Sequence, residues 1–166
     1  YDTLRASFDL DEERARLIAS FADGAMGWAI AAARDPDLVD ERVARVDVVL
    51  SMASMPIDER LVLSGTLAED YTRRRNELPP WLNLFSQCWR DVLLVKGGRE
   101  TAIINTDRID ILRELASQCT LREIGEILHK GQIAMGQLAR NANARLVLDV
   151  LMFSIPVLPR KATVVG

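Results

Sequence analysis

Pro79-Pro80-Trp81-Leu82-Asn83-Leu84-Phe85-Ser86-Gln87-Cys88-Trp89-Arg90-Asp91-Val92-Leu93-Leu94-Val95-Lys96 is periodic at the helical repeat. Trp81, Phe85, Cys88, Val92 and Val95 recur at steps of four, three, four and three, so they form one stripe along a helix. Leu82, Trp89 and Leu93 widen the stripe to more than about a third of the circumference, and a helix this apolar needs cover on several sides. Pro80 is expected at the first helical position, where its missing N–H has no intrahelical partner, and Gly97-Gly98 ends the helix in a left-handed turn. The stretch is read as the central helix of a bundle.

The segments on either side have the same periodicity. On the C-terminal side, Arg99 to Asn105 is a loop whose Ile103-Ile104 tucks against the bundle. Thr106 opens a helix with Ile109, Leu112, Leu115 and Cys119 on its inner face. Thr120 and Glu123 have capping-box spacing, with Cys119 and Ile124 placed as a staple, and Ile124, Leu128, Gly131, Met135 and Leu138 continue the stripe. Asn141-Ala142-Asn143 marks a reversal with Asn143 as cap. The last helix carries Leu146, Val147, Val150, Leu151, Met152 and Phe153 all round and is expected to be buried. Pro156 and Pro159 end it, and Arg160 to Gly166 reads as a tail.

On the N-terminal side, Asp9 and Glu12 have capping-box spacing before a helix over about 10–22. Asp23-Gly24 breaks it, and Ala25 to Arg34 forms a short alanine-rich helix. Asp35 caps the next helix with Pro36 in its first turn, and a boundary is placed there. Val39, Val43, Val46, Leu50 and Ala53 put a helix over about 37–54, closed by Pro56. Asp58 is expected to cap the following helix, with Ile57 stapled to Val62 and with Leu61, Leu67, Ala68 and Tyr71 facing inward. Arg73-Arg74-Arg75 at its end is read as a solvated helix terminus favoured by the helix dipole. With no strand alternation and no fixed repeat, the fold class is all-α, a helical bundle preceded by short helices.

The 166 residues suffice for a substantial core, and 49% hydrophobic with 27% charged residues is an ordinary balance for a globular chain. A net charge of −3 argues against nucleic-acid binding by bulk electrostatics. Cys88 and Cys119 lie on apolar faces without a CxxC, so they read as core thiols in a reducing compartment. The apolar run Leu146 to Phe153 is broken by Asp149 and is too short to cross a bilayer. The chain begins at Tyr1 rather than Met, and we expect it to be a piece of a longer protein.

Few residues suggest chemistry. His129, the single histidine, lacks an HExxH partner and reads as structural or exposed. Ser51, Ser54 and Ser64 have no nucleophile elbow around them. Asp107, Asp110 and Glu114 share one side of a helix, but Arg108 and Arg113 are interspersed, so a solvated face is the simpler reading. Gly24-Ala25-Met26-Gly27 lacks the lysine and Ser/Thr of a phosphate loop. No catalytic, cofactor-binding or metal-binding residue is assigned, and no cofactor is expected.

Three segments together resemble the C-terminal part of the delta prime subunit of the bacterial DNA polymerase III clamp loader. Ala22-Asp23-Gly24-Ala25-Met26-Gly27-Trp28-Ala29-Ile30 is similar to the end of that family's AAA+ lid. Trp89-Arg90-Asp91-Val92-Leu93-Leu94-Val95-Lys96 is similar to the tryptophan-led helix of its collar domain, and Asn141-Ala142-Asn143-Ala144-Arg145-Leu146-Val147-Leu148-Asp149-Val150-Leu151 to the collar's final helix. The resemblance implies C-terminal lid helices over 1–35, a helical collar for oligomerisation over 36–156 and a flexible tail over 157–166. It implies a non-enzymatic, cytoplasmic bacterial fragment of the DNA polymerase III holoenzyme. The collar would join the delta and tau/gamma subunits in the ring that loads the sliding clamp on primed DNA. Clamp and DNA would be met only through the whole assembly, and no membrane is involved. Gly27 stands where ATP-hydrolysing relatives carry a sensor arginine, which implies that the fragment neither binds nor hydrolyses ATP and argues against the collar of the tau/gamma ATPase. The alternative from another class is a helical ligand-binding or regulatory domain of a transcription regulator.

Overall fold

The computed structural model describes residues 12–22, 26–73 and 78–159. All regular structure among them is helical: α1 (Glu12–Ala22), α2 (Met26–Arg34), α3 (Pro36–Ser51) with a 3-10 turn Met52–Ser54, α4 (Ile57–Arg73), α5 (Leu78–Lys96), α6 (Ile109–Gln118), α7 (Leu121–Ala139) and α8 (Ala144–Ser154). Short 3-10 turns over Glu100–Ala102 and Thr106–Arg108 lie between α5 and α6. The all-α bundle expected from the periodicity is the fold.

Helix α5 is its axis, with α3, α4, α6 and α7 packed around it. Trp81, Phe85, Cys88, Trp89 and Val92 are all buried, and the rings of Trp81 and Phe85 stack with centroids 5.8 Å apart. Helix α7 comes close at Gly131, where an added Cβ would lie 3.4 Å from both Phe85 Cε1 and Ser86 Oγ, in van der Waals contact. The helix starts at Leu78 rather than Pro80. Two prolines are tolerated in its first turn because the first four N–H groups of a helix have no intrahelical acceptor. At the other end Gly98 adopts φ 70°. Arg99 N–H then donates to Leu94 O at 2.8 Å and Gly98 N–H to Val95 O at 3.0 Å, the paired bonds of a left-handed helix stop.

The caps at three helix starts match their residues. Asp35 Oδ1 accepts from Asp37 N–H at 3.1 Å. Thr120 Oγ1 accepts from Glu123 N–H at 3.2 Å, and Glu123 Oε2 accepts from Thr120 N–H at 2.7 Å. Asn143 Oδ1 accepts from Leu146 N–H at 3.2 Å after a reversal that puts Asn141 at φ 59°. The Asp9–Glu12 box lies outside the described residues, since Asp9 is not among them.

Helix α4 departs from the reading. It begins at Ile57, so Asp58 is in the first turn and is not the cap; Val62 is exposed and forms no staple. Its buried residues are Arg60, Ser64, Gly65 and Ala68, while Leu61, Leu67 and Tyr71 are only half-buried. The rotation is set by Arg60, whose guanidinium has zero exposure and no carboxylate partner in the structure described. Its Nε donates to Met55 O at 3.0 Å. Its two terminal nitrogens donate to Ala53 O at 3.3 Å, Met152 O at 3.2 Å, Pro156 O at 2.8 Å and Ile155 O. Five donors thus meet five carbonyls at the ends of the Met52–Ser54 turn and of α8, where carbonyls lack intrahelical partners and the helix dipole is negative.

A second apolar cluster joins α1 and α2 to the bundle: Ile18, Phe21, Ala22, Ala29 and Ala32 pack with Val39 of α3 and Ile104 of the loop after α5. That loop is pinned by Asp91, fully buried, whose carboxylate accepts from Ile104 N–H, Asn105 N–H and Asn105 Nδ2 at 2.8 to 3.1 Å. Arg42 donates to Gln87 Oε1 at 3.3 Å and Asn105 Oδ1 at 3.5 Å, and its guanidinium carbon lies 4.3 Å from the Phe21 ring centre. Beyond α8, Leu158 N–H donates to Ala53 O at 2.7 Å, so the chain stays on the bundle past Pro156.

Candidate interaction surface

Helix α8 sits in the cleft between α4 and α7. Val147, Leu148, Leu151 and Met152 fill that cleft and are buried. The expected burial of the whole helix is corrected by the other side, where Leu146, Val150 and Phe153 are 64%, 58% and 63% exposed. Steps of four and three put these on one face. Helices α4 and α7 bury the opposite side, and this one stays largely exposed among the described residues, with α7 only flanking it. Between α8 and α7 the stripe continues into an open groove of about 320 Å³ lined by Ile133, Leu146, Val147, Val150 and Leu151, with Lys130, Gln137 and Asn143 at its margins.

The residues weighed for chemistry are dispersed. His129 is exposed on α7. Asp107 is bonded to Arg108 at 2.9 Å and Asp110 lies 3.6 Å from Arg113, while Arg108 also grips Asp47 of α3 at 2.6 and 3.0 Å. Asp107, in the turn before α6, and Asp110 on it are therefore part of an arginine-bridged surface, and Glu114 accepts from Gln118 Nε2 at 3.3 Å. Among the described residues no three His, Cys, Asp or Glu converge as metal ligands. Ser51 and Ser54 donate to the carbonyls of Val48 and Ser51, and Ser64 to Leu61 O and the Asp149 carboxylate. Cys88 and Cys119 are buried free thiols; burial pushes Cys88 up to about 12 and raises Cys119. Gly27 is exposed with nothing within 4 Å of an added Cβ, and Gly24 and Ala25 lie outside the described residues. Arg73 is exposed at the end of α4 beside Glu69; Arg74 and Arg75 lie outside the described residues.

Another concavity, of about 290 Å³, is lined by Ala44, Val48, Leu63, Leu67, Leu78 and Trp81 between Arg45 and Asp70. Among the described residues no helix is long and apolar enough to cross a membrane. No family model, curated protein or solved structure matches the chain.

Proposed function

We propose that this chain is an assembly module, the collar region of a clamp-loader subunit of the delta prime type, with the short helices α1 and α2 as the end of its lid. The observation that carries the proposal is the outward stripe Leu146, Val150 and Phe153 on a helix whose inner side completes a filled core. Large aliphatic and aromatic side chains grouped on one face mark an interaction site more readily than scattered ones do. The same helix carries the segment most like the collar's final helix. A collar in a ring meets a different neighbour on each side, so its patches need not be self-complementary. The role is structural: the fragment holds subunits together, and ATP chemistry belongs to other parts of the assembly.

The test is to mix the full chain with collar fragments of the delta and tau/gamma subunits from the same organism and to measure mass by size-exclusion chromatography with light scattering. Heteromeric species heavier than either component are expected. A tight two-fold homodimer indifferent to those partners would favour the regulatory-domain alternative. That alternative has one observation of its own, the apolar groove between Arg45 and Asp70.

A further inference from the structure

We infer that the groove between α7 and α8, with the outward stripe of α8, is a docking surface for an amphipathic helix of a partner protein whose aliphatic stripe is flanked by carboxylates. The inference rests on the assembly reading and adds the place of contact and the chemistry of the partner. Leu146 to Phe153 extends about 10 Å along α8, the length of two helical turns. Such a face pairs with residues at i, i+4 and i+7 of a second helix laid along the groove. Ile133, 38% exposed, and Val150 supply its apolar floor.

The charges around the groove set the sign of the partner. From residue 127 to 148 the charged side chains are Lys130, Arg140 and Arg145, without a carboxylate, in a chain whose net charge is −3. The acids at either end are already engaged: Glu126 by Arg122 at 2.9 Å and Asp149 by Arg145 at 3.0 Å. Neither Lys130 nor Arg140 is in an ion pair among the described residues. Of the three cations, Lys130 lines the groove and is its only charged lining residue among the described residues, so the charge beside the apolar floor is positive, while Arg145 lies toward Gly65 of α4. Phosphate-backbone binding is disfavoured, because the floor is aliphatic and the cations are few.

The probe is a fluorescein-labelled synthetic helical peptide with leucines at i, i+4, i+7 and i+11 flanked by glutamates, beside a second peptide with lysines in place of the glutamates. Fluorescence anisotropy with the full chain should show the acidic peptide binding at least about tenfold more tightly at low salt, the margin narrowing at high salt. Val150→Glu should abolish binding with an unchanged circular dichroism melt, and Lys130→Glu should reverse the preference between the peptides. Binding of neither peptide, no reversal by Lys130→Glu, or tighter binding of primed duplex DNA at the same face would overturn the inference.

Delta and tau/gamma fragments separate this result from the assembly reading. If the wild-type chain joins them and Val150→Glu joins them equally well, the docking surface is wrong while the collar reading stands. If the wild-type chain ignores them but keeps the peptide preference and its reversal, the surface stands and the collar reading falls.

Discussion

Arg60 closes the C-terminal half of the bundle. Burial alone lowers its pKa, yet the guanidinium has zero exposure and spends its donors on five main-chain carbonyls. Arg60→Met keeps the aliphatic volume but removes the side-chain donor from all five acceptors, of which Ala53 O keeps the Leu158 N–H, at about 1–3 kcal/mol for each one left unpaired and dry. We expect a loss of about 3–5 kcal/mol in urea denaturation, with Arg60→Lys nearly as costly because an ammonium lacks the planar fork. An unchanged midpoint in Arg60→Met would show that the carbonyls find water instead. This residue was not legible in the sequence. Helical periodicity counts an arginine as polar and turns it outward, and Met152, Ile155 and Pro156 lie 92 to 96 positions further along, beyond any local pattern. Asp91 was not legible either, because the N–H groups of Ile104 and Asn105 that it gathers lie 13 and 14 positions further along, outside its own helix.

At the scale of elements, the ends of α7 and α8 are set by single side chains whose removal can be measured. Asn143→Ala removes the acceptor for Leu146 N–H and should cost about 0.5–2 kcal/mol without changing the fold. Equal thermal midpoints for variant and wild type would show that the cap is dispensable. Glu123 has a carboxyl held below the ordinary 4.5, chiefly by the Thr120 N–H bond and then by the Thr120 hydroxyl. Because its folded value is depressed, its contribution to stability is present above 4.5 and is lost as pH falls through the lower folded value. Glu123→Gln should therefore lose less stability between pH 7 and pH 3 than wild type, read from urea midpoints at the two values. An equal acid loss in both would remove Glu123 from the account. These caps were legible because a capping residue and its N–H partner lie within three positions. The start of α4 was not, because Ile57, Asp58 and Val62 fit a staple equally well until Arg60 fixes the rotation of the helix.

At the scale of the molecule, the all-α class and the central place of α5 followed from four-three spacing, which reports how much of a helix needs cover. Spacing does not report what supplies the cover. Leu146, Val147, Val150, Leu151, Met152 and Phe153 look alike in the sequence, and only the positions of α4 and α7 divide them into an inner set and an outer one. The outer set makes this a module with unsatisfied apolar surface, the physical basis for reading it as a part of an assembly. The measurement that tests this most directly is methyl NMR of the full chain, labelled at isoleucine, leucine and valine, titrated with delta and tau/gamma collar fragments. The account predicts that the Leu146 and Val150 methyls shift on complex formation while those of buried Leu112 and Ile124 hold their positions. Complexes that form with Leu146 and Val150 unmoved, and with shifts clustered instead around Val62 or Ile30, would contradict it.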